Sequence, residues 1–288
     1  MKKTFINLML AAALTCGAGA VQAQIAMPAA SPAASVTQKI GLTDVKVEYS
    51  RPSLKKRAVG NEVATFGQLW RTGANSPTKL TFSDDVTIQG NKVPAGDYAL
   101  LTIPGKDEWT IIIHKNLKLW GNDDQNYKQE DDLVRFKVKP QQNPREVESF
   151  TVNFANLKTN TADLELLWDN TIASFTIEAE VDSKVMADIQ NKVVKGKDVT
   201  PALYASAATY YYDSGKDMKQ ALEWIKKANE TTPRFWTLLT QAKIQAKMKD
   251  YKGAVQTAEK SIALAKEANN AEYVRMNEQA IAEWKKMK

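Results

Sequence analysis

Cysteine and histidine are nearly missing from this 288-residue chain, which has one of each, Cys16 and His114. One cysteine forms no internal disulfide and no thiolate metal site. One histidine falls short of the three or four ligands that an imidazole-based zinc site requires. Nucleophilic triads are also incomplete, because no G-x-S-x-G elbow accompanies His114. Membrane-length apolar runs are lacking too. The longest mostly apolar stretch, Phe5 to Leu14, is well under the roughly 18 residues that a spanning helix needs.

That stretch has another reading. Lys2 and Lys3 precede it, and small residues lead from it to Val21-Gln22-Ala23. Positive start, apolar core and A-x-A-like site together read as a secretory signal over residues 1–23, cleaved after Ala23. Cleavage removes Cys16, and with it any thiol chemistry. A lipid-modified Cys16 fits poorly, since Ala13 and Thr15 stand where Leu and a small Gly or Ala are wanted. The expected location is the periplasm, the outer membrane or the exterior. An exported chain does not meet nucleic acid, so its basic balance does not point there.

The length left after cleavage exceeds the needs of one core, so two domains are expected. Charge divides unevenly between them. Residues 24–181 carry 18 Lys and Arg against 20 Asp and Glu, whereas residues 182–288 carry 19 against 13. The basic half reads as helices with solvated Lys-rich faces, or as a surface drawn to an acidic partner.

Hydrophobic periodicity changes at the same place. From Ser35 to Val181 it is two, the mark of strands with one buried face. Val45, Val47 and Tyr49 alternate with polar neighbours, as do Phe150, Val152 and Phe154. Gly41, Gly90-Asn91, Pro94-Ala95-Gly96, Asn143-Pro144 and Asp169-Asn170 read as turns between the runs. About ten short strands without a helix predict an antiparallel β-sandwich over residues 35–181, after a flexible lead over 24–34. Tyr98, after Pro94-Ala95-Gly96-Asp97, reads as a corner tyrosine that returns its hydroxyl to nearby backbone. Trp109 to Ile113 is apolar on both faces, which predicts a central strand covered on its outer side by the C-terminal half.

After Val181 the period becomes helical. Val185, Ile189 and Val193 mark a connecting helix within 182–200. From Pro201 onward, helical hairpins recur at a 33-residue spacing, counted from Ala221 to Ala254. Ala221, Ile225 and Ala228 line one helix, and Ala254, Ala258 and Ser261 another, small enough for close approach. Tyr212, the small residues and Pro233 make residues 201–288 resemble tetratricopeptide repeats. With only about two repeats, that array is expected to lean on the sandwich.

Trp70-Arg71-Thr72-Gly73-Ala74-Asn75 is the most unusual segment of the strand half. It joins a planar ring, a forked cation, a flexible Gly and a carboxamide, a set suited to a ligand bearing hydroxyl or carboxylate groups. The competing reading is that Trp70 plugs the sandwich end and Arg71 pairs with a buried Asp. Arg51, Trp120 and Trp168 are candidates for the same end.

These residues also carry a family resemblance. Ser31-Pro32-Ala33-Ala34-Ser35, Val47-Glu48-Tyr49-Ser50-Arg51-Pro52-Ser53, Trp70 to Asn75, Pro94 to Leu100, Ile103 to Thr110, Trp120-Gly121 and Trp168-Asp169-Asn170 make residues 31–181 similar to a domain-of-unknown-function family (DUF2911-like) of exported proteins in Bacteroidetes-type bacteria. The resemblance implies the boundary and the compartment, and supplies no activity or cofactor. Leu54-Lys55-Lys56-Arg57 departs from the family as an unusually basic loop that would favour acidic ligands.

His114, at the end of Ile111-Ile112-Ile113, reads as a strand-end imidazole bonded to backbone. Asn122 to Asn126 faintly resembles a calcium loop but lacks Gly at the sixth place and Glu at the twelfth. No metal or cofactor is therefore implied. The chain is expected to be an exported binding or interaction protein, with a small-molecule or glycan ligand near Trp70 and a protein or peptide partner on the helices. The alternative is a carboxylate-dependent hydrolase or carbohydrate-active enzyme using Asp or Glu near Arg71 and Trp168.

Overall fold

The computed structural model describes residues 27–119 and 126–287. Residues 1–23, read above as a secretory signal, Trp120 and most of the calcium-like loop, residues 122–125, lie outside the described residues.

The strand half forms two antiparallel sheets. One has six strands, ordered β1 (Ala33–Ile40), β2 (Thr43–Ser50), β3 (Thr78–Phe82), β6 (Gly96–Ile103), β7 (Trp109–His114) and β8 (Asp132–Val138). The other is ordered β5 (Asn91–Val93), β4 (Val86–Ile88), β10 (Thr161–Ala179) and β9 (Gln141–Ala155). Both contribute to one apolar core, in which Val45, Leu80, Leu100 and Ile113 meet Phe150, Leu164, Phe175 and Ile177. Strand β1 starts at Ala33, inside the segment read as a flexible lead, and pairs with β2 along its full length.

Two expected turns lie inside long strands instead. Asn143-Pro144 falls within β9 and Asp169-Asn170 within the 19-residue β10. Register shifts on either side of Asp169 place the latter at a bulge. Five steps along β10, from Leu167 to Ile172, face ten along β9, from Thr151 to Gln141, so the extra residues lie on β9. Across the same point the buried set of β10 moves from Ala162, Leu164, Leu166 and Trp168 to Ala173, Phe175, Ile177 and Ala179. One strand thus feeds the core on both sides of a bend. A turn pair in sequence marks a break in regular pairing, and a bulge satisfies it as well as a reversal does.

The Pro94 corner forms as expected. The chain passes there from β5 in one sheet to β6 in the other, and Tyr98 donates its hydroxyl to the Pro94 carbonyl at 3.0 Å. The outer face of β7 departs from expectation. Ile112 packs with Ala99, Leu101 and Leu119, flanked by Leu69, Ile103 and Tyr127. Loops of the strand half cover this face, and the helices do not. A local loop achieves that burial without the closure entropy of docking a distant domain.

Six α-helices follow. Helix α1 (Asp182–Ile189) runs into a π-helical turn over Gln190–Val194 and buries Ile189 and Val193. Then come α2 (Pro201–Asp213), α3 (Met218–Thr231), α4 (Phe235–Lys247), α5 (Tyr251–Glu267) and α6 (Ala271–Trp284). Thr200, Asp217, Asp250 and Asn270 cap the starts of α2, α3, α5 and α6 with side-chain oxygens. Consecutive helices pack as hairpins, and the expected small residues Ala221, Ala228, Ala254, Ala258 and Ser261 are buried. These helices have their own apolar clusters, one around α1 to α3 and one around α4 to α6. Among the described residues no apolar cluster joins them to the sandwich.

Candidate functional site

Trp70 is held by two backbone hydrogen bonds with Thr102, its N–H to the Thr102 carbonyl at 2.7 Å and the return bond at 2.9 Å. The chain between it and β3 then turns back on itself. Thr72, Gly73 and Asn75 have φ of 56°, 152° and 60°. A left-handed β-branched Thr72 costs about 1–3 kcal/mol and persists only where its surroundings over-determine it. Here they do: Thr72 donates its hydroxyl to Thr102 Oγ1 at 3.1 Å, and its carbonyl accepts the Thr78 hydroxyl. Gly73 lies so close to the Ser50 carbonyl and Thr78 Oγ1 that a Cβ would sit 3.1 Å from each.

This tight turn presents its side chains in two directions. Trp70 points inward and is 7% exposed, and it stacks on Trp168, 3% exposed, with ring centroids 5.5 Å apart and planes 17° from parallel. Phe150 and Trp109 meet the Trp70 ring edge-on at 5.1 and 6.3 Å. Each indole N–H is spent on backbone, Trp70 on the Gly73 carbonyl and Trp168 on the Glu148 carbonyl. The stacking face anticipated for a ligand is therefore covered by aromatic neighbours.

Arg71 instead lines a cavity of about 270 Å³, together with Arg57, Glu62, Gln68, Trp70 and Trp168. Its Nε is buried, and the Arg71 guanidinium forms no hydrogen bond or ion pair among the described residues, while its backbone carbonyl accepts the Thr78 N–H at 3.1 Å. The buried Asp partner considered for it does not materialise. Burial draws the guanidinium below its ordinary, very high pKa, a range in which arginine stays charged. At the rim, Arg57 donates from Nε and Nη2 to the carbonyls of Leu54 and Ser53. Glu62 accepts the Ala58 N–H at 2.9 Å, and that bond is the largest cause holding its carboxyl below the usual range.

The remaining candidates separate from this cavity. Arg51 spans 99 and 100 residues to reach the Phe150 carbonyl at 3.0 Å and Thr151 Oγ1 at 2.6 Å, pinning β2 to β9. Asn75 donates to Ser50 Oγ at 3.1 Å and the Ser31 carbonyl at 3.3 Å, strapping the segment before β1 to the end of β2. Glu62 and Gln68 carry no signal in the sequence, because their loop has no period. Arg57 was visible only as the end of a basic run.

His114 is fully buried, with Nδ1 accepting the Asn116 N–H at 3.0 Å and Nε2 lying 3.2 Å from the Lys128 carbonyl. That arrangement places its proton on Nε2 and makes it the backbone-bonded strand-end imidazole expected. Beside it, Tyr127 donates to Asp132, which also accepts from Arg135 Nε at 2.8 Å. Burial, then the hydrogen bond to Asp132, pushes the Tyr127 phenol up to about 12.

In the helical half, a groove of about 820 Å³ runs between α2 and α4. Ala202, Ala205 and Thr209 line one wall, and Arg234, Trp236 and Thr240 the other. Trp236 is 45% exposed, with the Arg234 guanidinium 5.9 Å from its ring centroid. Among the described residues no helix is long and apolar enough to cross a membrane.

Fold and site together define a two-sheet antiparallel domain with a charged cavity at one end, followed by helical hairpins. A family model described as a protein of unknown function (DUF2911) matches residues 31–177, and the chain belongs to that family. The match runs from just before β1 to within β10 and stops short of the helices. No curated protein and no solved structure matches the chain.

Proposed function

We propose that this is an exported cell-envelope binding protein without a catalytic set of its own. Its sandwich holds a small ligand at the Trp70–Asn75 end, and its tetratricopeptide-like helices dock a protein or peptide partner. The observation that carries the ligand reading is Arg71, a cation with a buried Nε and no side-chain partner among the described residues, on the wall of a cavity. Structural arginines in proteins are normally paired, because a buried donor left unmet is costly. The leader-like residues 1–23 support export. The α2–α4 groove, with its exposed Trp236, supports docking, since exposed aromatics beside arginine are characteristic of interface anchors. The hydrolase reading needs two facing carboxylates. Of the residues lining the Arg71 cavity, only Glu62 carries one.

A thermal-shift screen of the chain lacking residues 1–23, against sugars, cell-wall fragments and small acids, tests the ligand reading. A specific ligand raises the melting temperature by mass action. In Arg71→Ala that rise is expected to vanish while the unliganded melting temperature stays within about 2 °C of the parent. A much larger drop would make Arg71 a structural ion and remove the site.

A further inference from the structure

The cavity at Arg71 has a definite charge and donor pattern, which narrows what it can hold. Two guanidinium groups and one carboxylate line it, a net charge of +1. Arg57 is already committed to two carbonyls, and Glu62 lies near enough to Arg57 for that charge to lower its pKa slightly. The cation at the rim is thus largely offset, and Arg71 supplies the uncompensated charge. Its planar fork offers paired N–H donors, a geometry that two oxygens on one planar centre satisfy together. Ser31 and Gln68 also line the cavity, and neither side chain forms a hydrogen bond among the described residues. They add a hydroxyl and a carboxamide beside the fork.

We propose that this cavity is a carboxylate-binding site, in which the Arg71 fork receives both oxygens of a singly charged carboxylate group. The proposal rests on the ligand-site reading above and names the ligand's class. A single negative charge matches the net +1 of the lining, where a doubly charged phosphate would leave one charge unmet. The volume of about 270 Å³ is several times the ~30 Å³ share of one water in the liquid. It accommodates the carboxylate and a short carrier, with any longer remainder outside. Trp70 and Trp168 also line the cavity, and each gives one ring face to the other, which leaves less aromatic surface for a neutral ring to stack on.

The test uses the arginine Nε–H signals of the full chain without residues 1–23, observed by nitrogen-15 NMR. Sodium acetate is titrated at constant ionic strength, with sodium chloride, acetamide and inorganic phosphate as separate arms. One Nε–H signal is expected to move saturably with acetate, and to be the signal missing from Arg71→Lys. Acetamide and chloride should leave it in place, and phosphate should act more weakly. Arg57→Gln should weaken the acetate response several-fold without removing it. No saturable movement with acetate, or an equal one with chloride, would overturn the proposal. A stronger response to phosphate would replace carboxylate with phosphate as the class. If acetate fails while a neutral compound from the thermal screen still gives an Arg71-dependent shift, the ligand site stands and only the carboxylate assignment falls. The parent protein's own signal is read directly, so the outcome does not depend on a variant folding.

Discussion

Trp70 and Arg71 are neighbours in the chain with opposite fates. The first joins a packed aromatic group with Trp168, Phe150 and Trp109, and the guanidinium of the second has no partner among the described residues at the cavity wall. The left-handed turn at Thr72 and Gly73 follows directly, and Thr102 and Thr78 hold it in place. Packing at this end therefore sets where the cation points. Trp168→Ala should cost about 3–5 kcal/mol, since it removes a large buried ring and strands the Glu148 carbonyl that its N–H serves. Chemical denaturation measures this, and Trp168→Phe should recover part of the loss. An unchanged midpoint for Trp168→Ala would mean the aromatic group is not a core element. The six-residue motif was legible as unusual. Which of its side chains would be buried was not, because the rings that cover Trp70 come from other strands.

The segment between β7 and β8 shows how a loop becomes part of the fold. Leu119 and Tyr127 cover the outer face at Ile112, and the bonds from Tyr127 and Arg135 to Asp132 clamp the loop against β8. The folded phenol has its pKa raised from 10.0 to about 12. The folded state therefore holds that proton more tightly than the unfolded chain does. Its contribution to stability is complete below pH 10 and fades as pH rises from 10 towards 12. Ultraviolet titration should find one tyrosine ionising near pH 12, and Tyr127→Phe should remove that late step. If every phenol titrates together near 10, the clamp is not present in solution. The run Ile111-Ile112-Ile113 in β7, apolar on both faces, correctly marked a strand covered on both sides, but such a run says only that a face is covered. The covering loop has no period of its own to read.

Among the described residues, the sandwich and the helices share no apolar cluster. The β1–β2 turn at Gly41 packs against Val181, where a Cβ would come within 2.3 Å of Val181 Cγ2. Lys184 pairs with Asp84, a surface ion pair of the kind worth at most about 1 kcal/mol. Leu42 of the Gly41 turn lines a cavity with Val185, Ile189 and Leu203, and each half has buried apolar cores of its own. Calorimetry should resolve at least two transitions, and Lys184→Ala should move neither by more than about 2 °C. A single transition whose calorimetric and van't Hoff enthalpies agree for the whole chain would show that the halves fold as one. Charge divides along the same line, with the acidic excess on the strands and the basic excess on the helices.

Much of this architecture was present in the order of residues. Alternation at Val45, Val47 and Tyr49 and helical spacing at Ala221, Ile225 and Ala228 are local signals, and local backbone geometry turns them into strands and helices. The Pro94 corner and the helix caps are local as well. The site depended on pairings with no local trace. Arg51 is consumed by Phe150 and Thr151 about a hundred residues away, while Arg71 finds no such partner. Both residues look alike in sequence, each an arginine beside an aromatic or turn former. Only the packing of distant strands decides which guanidinium is satisfied and which is left facing a cavity, because a side chain's partners are set by three-dimensional proximity and not by chain spacing.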